Sequence, residues 1–223
     1  MNQKLLLQAI TKLLAGFICI SVLLFLPAGT LHYKNGWIFL SVLFIPMLII
    51  GIVLMLKNPE LLQKRLNVKE ADPQQKKVVA FSGMLFLLGF VTAGLNYRFQ
   101  WLMLSDWFVI VFSFVFLFGY SLYAEVLREN TYLSRTVEIQ ENQKIIDTGL
   151  YGIIRHPMYT ATILMFLSVP LILGSLISFV IFLCYPVIII FRIRNEETFL
   201  EKNLSGYTEY KKKVKYRLIP FIW

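Results

Sequence analysis

Two short clusters of ionisable and hydroxyl-bearing residues stand out from an otherwise apolar chain. The first is Gly149-Leu-Tyr-Gly-Ile-Ile-Arg-His-Pro-Met-Tyr159, which carries Tyr151, Arg155, His156 and Tyr159 up to the start of an apolar stretch. The second, Arg192-Ile-Arg-Asn-Glu-Glu197, follows the end of that stretch. Polar groups at a bilayer boundary often serve as plain anchors. Here they are dense, a turn-forming Gly149 precedes them, and the two clusters bracket one apolar hairpin, which is the pattern of an active site. Arg192 and Glu196 are four residues apart and share a helix face. Glu197 is turned by roughly 140° from Arg192 at 3.6 residues per turn, and Arg194 points almost opposite. The order Arg-then-Glu is the poorer one for helix stabilisation alone. Glu196 is therefore the better partner of Arg192 in a site, with Glu197 open as the alternative.

Composition restricts the chemistry. Hydrophobic residues make up 57% of the 223, more than a soluble domain usually carries, and they fall in long blocks. The net charge of +9 raises the question of nucleic acid. Its basic residues sit between apolar blocks, where they suit topology and anionic lipid, so no nucleic-acid partner is expected. Cys19 and Cys184 lie inside apolar blocks and are expected as packed thiols. His32 and His156 are far apart, and no HExxH or paired CxxC spacing is present, so no metal site is expected. The strand, Gly-rich turn and helix of a dinucleotide fold are also missing, and Gly149-Leu-Tyr-Gly152 does not supply them.

The elements that position the clusters are helices. Apolar blocks cover residues 13–26, 37–56 with Pro46 inside, 78–97 and 107–127. The first could be a signal peptide, but the membrane-like sequence downstream favours an uncleaved helix. Residues 157–191 form a last apolar region, broken at Gly174-Ser175 into halves of about 17 residues, a helical hairpin. Asn58-Pro59-Glu60 caps a short amphipathic helix through Leu66. Residues 137–140 and 144–147 read as short extended pieces, and Glu125 sits near an interface or faces a cavity. Lys and Arg concentrate before the first block, in 57–77, in 128–155 and in the tail, while the alternate loops hold only His32, Lys34, Arg98 and Asp106. By the positive-inside rule both termini are then cytoplasmic. The expected fold is an all-α integral membrane protein of about six helical segments, four spans plus a C-terminal helical hairpin, with both polar clusters on the cytoplasmic side.

The C-terminal third resembles the isoprenylcysteine carboxyl methyltransferase family, in its bacterial members, which is related to membrane phospholipid N-methyltransferases. The resemblance rests on Lys144-Ile-Ile-Asp-Thr-Gly-Leu-Tyr151, Arg155-His-Pro-Met-Tyr159, Arg192 with Glu196-Glu197, Gly206-Tyr-Thr-Glu-Tyr210 and Ile219-Pro-Phe-Ile222. Asn58-Pro-Glu-Leu-Leu62 and Glu129-Asn-Thr-Tyr132 extend it upstream. It implies one membrane methyltransferase domain over 1–223, with helices on the lipid-substrate side in 1–127 and the cofactor-binding and catalytic region in 128–223. It implies S-adenosylmethionine as cofactor, in a cytoplasmic-facing pocket. Gln143, Lys144, Ile145 and Ile146 would hold it largely through backbone groups, and Tyr151, His156, Pro157, Met158 and Tyr159 would complete the walls. Glu196, or alternatively Glu197, would take the amino group of the methionine part, and Arg192 would face the substrate carboxylate.

The implied reaction is methyl transfer to a lipophilic or lipidated acceptor, most simply at an isoprenylcysteine-like or other lipid carboxylate. A carboxylate is ionised at neutral pH and needs no general base, and Arg192 can orient it by a bidentate pair. A phospholipid amine is the alternative acceptor and must first lose a proton, for which His156, Glu125 or Glu197 would serve. Sterol-reductase-like membrane enzymes that use NADPH carry similar Arg-His-Pro segments and give a third reading, and a membrane scaffold without chemistry a fourth. The chain departs from the family at Gly152, at Gln143 and at Ala161, whose methyl is expected to crowd the cofactor. The short loops suit a bacterial inner membrane, with membrane lipids as the surroundings.

Overall fold

The computed structural model describes residues 3–67, 73–133, 139–140 and 143–223. Their regular structure is helical: α1 (Gln3–Ala28), α2 (Lys34–Lys57), α3 (Pro59–Leu66), α4 (Pro73–Phe99), α5 (Asp106–Glu129), a 3-10 turn at Gly149–Gly152, α6 (Pro157–Ile172), α7 (Leu176–Phe182), α8 (Cys184–Asn203) and α9 (Tyr207–Lys213). Five helical stretches are long and apolar enough to cross a membrane: α1, α2, α4, α5 and the run Leu176–Asn203. The protein is thus a multi-pass integral membrane protein. Each expected apolar block is a helix, but the helices outrun the blocks. The helix α1 begins at Gln3 and α4 at Pro73, because Gln and Lys are good helix formers and continue the turn beyond the last apolar residue. As expected, Asn58 caps α3, its side chain accepting from Leu61 N–H.

Three turns meet at one end of the bundle. The buried Tyr33 donates to the Leu173 carbonyl at 2.5 Å and stacks on Tyr97 at 4.2 Å. Tyr97 donates to the His32 carbonyl at 3.3 Å, Leu104 N–H to the Gly174 carbonyl at 2.9 Å, and Met103 pairs with Ser175. Helix α6 therefore runs from the polar cluster at its start to this turn end. Its 16 residues span about 24 Å, short of a bilayer core of about 30 Å. It compensates by being interior, with Tyr159, Ala161, Met165 and the run 168–172 buried against neighbouring helices. The second half of the hairpin is longer than expected. It breaks between α7 and α8, where Pro186 has no N–H to offer the Phe182 carbonyl. It then continues past Phe191 to Asn203, so the second cluster is helical throughout.

The expectation of packed cysteines is corrected, and three other readings are located in the structure. Cys19 and Cys184 are exposed on helix faces, not packed, as thiols on a lipid-facing surface are. Residues 144–147 form no strand; Val137 and Glu138 lie outside the described residues, and Ile139 and Gln140 have no regular structure. Glu125 is exposed and paired with Arg128 at 2.6 Å. Ala161 is fully buried, its carbonyl facing Gly119 of α5.

Candidate functional site

At the end of the bundle opposite the three turns, residues 143–148, the 3-10 turn, the start of α6, the polar half of α8 and α9 surround a half-open cleft of about 120 Å³. The turn is fastened to the end of α5. Both oxygens of Glu129 accept from Leu150 N–H, at 3.0 and 3.2 Å. Gly149 has a φ of +52°, and a Cβ there would stand 1.7 Å from Glu129 Oε1, so no other residue fits without displacing the carboxylate. Held in this way, Tyr151 is buried. Its hydroxyl accepts from Asn130 Nδ2 at 3.0 Å, and its carbonyl accepts from the Tyr210 hydroxyl at 2.8 Å. Burial pushes the hydroxyl pKa values of Tyr151, Tyr207 and Tyr210 up, so these groups stay protonated.

The two adjacent glutamates of α8 have different surroundings. Glu196 lines the cleft and accepts from the Tyr159 hydroxyl at 2.5 Å. That hydroxyl in turn accepts from Arg192 Nε at 2.8 Å. Glu197 is turned away from the cleft and buried. Its Oε1 accepts from Arg155 Nε at 2.8 Å, and its Oε2 from Arg217 Nε at 3.0 Å, with Lys211 Nζ at 3.7 Å. His156 Nε2 lies 3.2 Å from Oε1; a carboxylate only accepts, so this nitrogen carries the proton. Arg155 also donates to the carbonyls of Val214 and Lys215, while Arg155 and His156 N–H groups donate to those of Tyr216 and Arg217. The cluster thereby clamps the tail alongside 154–156. A buried carboxylate needs such company, because desolvation costs several kcal/mol per ion, roughly, and only close partners offset it.

Of the residues singled out from sequence, Gln143, Lys144, Ile145, Ile146, Tyr151, His156, Met158, Tyr159, Arg192 and Glu196 come together around the cleft. Pro157 and Glu197 do not line it. Pro157 is the first residue of α6, where its missing N–H costs nothing. Sequence reasoning noted Arg155 in the first cluster but gave no part in a cleft to it or to Asn130, Tyr132, Leu133, Leu200, Leu204, Tyr207 and Tyr210, which line it too. Leu200 and Leu204 follow Glu196 at steps of four, so the face shared by Arg192 and Glu196 pointed to them. Tyr207 and Tyr210 stood in a quoted motif without a role. Among the described residues, the backbone N–H groups of Lys144, Ile145 and Ile146 donate to no backbone carbonyl. The Tyr207 hydroxyl is buried with no hydrogen-bond partner among them.

A family model for phospholipid methyltransferases matches residues 107–206. The match takes in α5, the 3-10 turn, α6, α7 and α8, and stops just before Tyr207. Over 91 residues the chain is 30% identical to the Delta(14)-sterol reductase of Mus musculus, an alignment covering 40% of this chain and 22% of the reductase. The chain thus spans about a fifth of the length of that relative.

Proposed function

We propose that the protein is a membrane methyltransferase that uses S-adenosylmethionine and methylates a lipophilic acceptor. The observation that carries this reading is the cleft itself, whose lining falls largely within the segment similar to phospholipid methyltransferases. The donor set suits the cofactor. The cofactor is cationic at its sulfonium and ammonium and aromatic at its adenine, and the cleft offers a carboxylate in Glu196, the rings of Tyr151, His156 and Tyr159, and the N–H groups of Lys144, Ile145 and Ile146, which donate to no backbone carbonyl among the described residues. About 120 Å³ is below the ~300 Å³ at which small-molecule sites begin, so part of a bound cofactor lies in the open half of the cleft.

S-adenosylmethionine, when bound, supplies an electrophilic methyl group on sulfur. In this reading Glu196 holds its ammonium, Gln143 to Ile146 hold it through backbone groups, and Met158 closes the wall beside Tyr159. Arg192 holds an acceptor carboxylate in line, and positioning accounts for most of the acceleration. A lipid carboxylate such as an isoprenylcysteine is the acceptor most simply served, because no residue has to remove a proton from it. Glu197, enclosed by Arg155, Arg217 and His156, is left with a structural part. The helices of 1–127 form the lipid side of one functional unit with 128–223.

The likeness to a sterol reductase favours a second reading, a reductase that uses NADPH. Calorimetry on detergent-purified protein separates them. Saturable binding of S-adenosylmethionine and S-adenosylhomocysteine, without NADPH binding, is the expected result; NADPH binding alone moves the protein to the reductases.

A further inference from the structure

We infer that Tyr159 is a positioning residue that couples the cofactor side of the cleft to the acceptor side, its hydroxyl linking Glu196 to Arg192. The inference rests on the function proposed above and deepens it. The geometry is a three-group relay. Arg192 Nε donates to the Tyr159 oxygen at 2.8 Å, and the Tyr159 O–H donates to Glu196 Oε2 at 2.5 Å. A phenol has one proton, so its direction is fixed: arginine can only donate and carboxylate can only accept. Tyr159 is 4% exposed, so water does not compete for either bond. Its ring packs beside His156 at 5.7 Å and under the Arg192 guanidinium at 6.0 Å. Arg192 and Glu196 stand one turn apart on α8, and Tyr159 reaches them from α6.

Chemical consequences follow from this arrangement. Donation by Arg192 polarises the phenol and strengthens its bond to Glu196. That bond occupies Oε2 and would leave Oε1 to hold a cofactor ammonium. An anion that draws the Arg192 guanidinium toward itself alters the same relay, so acceptor and cofactor affinities are linked through it, and linkage is reciprocal. Cofactor affinity therefore depends on Arg192, a residue that does not touch the cofactor, as long as Tyr159 carries its hydroxyl.

A double-mutant cycle read by S-adenosylhomocysteine binding tests this. Tyr159→Phe keeps the ring and removes the link. Arg192→Ala is expected to weaken binding about threefold in the wild-type background and not at all in Tyr159→Phe, the scale of a modest coupling energy. Additive losses, or an Arg192→Ala affinity equal to wild type, overturn the inference. Glu196→Gln with Tyr159→Phe makes a second cycle, with the same expectation of non-additivity, should Arg192→Ala fail to fold. Failure of wild-type protein to bind S-adenosylhomocysteine overturns the proposed function and this inference with it, whereas binding with additive losses overturns the inference alone.

Discussion

Glu197 is a residue whose neighbour in sequence does a different job. Glu197→Gln leaves Arg155 buried beside a neutral amide, and breaking a buried ion pair in this way costs about 3–5 kcal/mol. The partly exposed Lys211 and Arg217 add less to that. The expected result is a clear drop in melting temperature in detergent, whereas Glu196→Gln leaves melting nearly unchanged and lowers S-adenosylhomocysteine affinity. The reverse pattern would exchange the two roles. The helical wheel favoured Glu196 over Glu197, since Arg192 stands four residues before it. What the wheel could not show is that Arg155 and Arg217 converge on Glu197 from 42 and 20 residues away, because such pairing is a property of packing. Tyr207 gives a second residue-scale expectation. A buried hydroxyl costs about 1–3 kcal/mol when unpartnered, and that of Tyr207 has no partner among the described residues, so Tyr207→Phe should raise the melting temperature. Its pKa is raised by burial, with Glu197 adding to the effect. A raised pKa means stability fully present below the ordinary value near 10 and lost as pH rises above it. The advantage of Tyr207→Phe should therefore widen above pH 10, and a melting series from pH 8 to about 11 checks it.

Among the elements, two glycines separate the scaffold from the site. Gly89 of α4 meets Phe182 of α7 so closely that a Cβ would lie 2.2 Å from the ring. Gly89→Ala overpacks that contact, at a cost of about 1–3 kcal/mol, between residues that do not line the cleft. Gly149→Ala instead displaces Glu129 and frees the 3-10 turn that carries Tyr151. The first is expected to lower the melting temperature and spare S-adenosylhomocysteine affinity, the second to lower affinity at least tenfold with a smaller melting shift, as a local release does. Equal effects on both observables in either variant would show that turn and bundle form one cooperative unit. The helices themselves were legible because long apolar blocks have few alternatives in lipid. Their ends were not, since Gln3 to Lys12 and 192–203 continue as helix on propensity and packing, not on hydrophobicity. The turn at Gly149 was legible from its glycine, but its anchor on Glu129 was not, because that contact joins two elements.

At the scale of the whole molecule, the question is which end of the bundle faces the cytoplasm. The turn end holds Lys34 and Arg98 beside Asp106. The cleft end holds Lys57, Lys64, Arg65, Arg128, Lys144 and the basic tail. The side chain of Lys12 reaches the Leu66 carbonyl at the end of α3, so α1 starts from the cleft end as well. Positive residues are retained on the cytoplasmic side during insertion, so we propose that the cleft and the start of α1 face the cytoplasm, where the proposed lipid-borne acceptor and soluble cofactor would share a meeting plane. Since α6 joins the cleft to the turn end, the hairpin it makes with α7 and α8 returns the chain to the side where it began. Single cysteines test both points. With Cys19 and Cys184 replaced by Ser, His32→Cys at the turn end should react with a membrane-impermeant maleimide on intact cells that express the protein, and Ser205→Cys beside the cleft should react only after lysis. Both positions are exposed, so a negative result reports sidedness rather than burial. Labelling of Ser205→Cys alone would invert the protein. Labelling of both on intact cells would mean that the hairpin does not return the chain to the side assigned here.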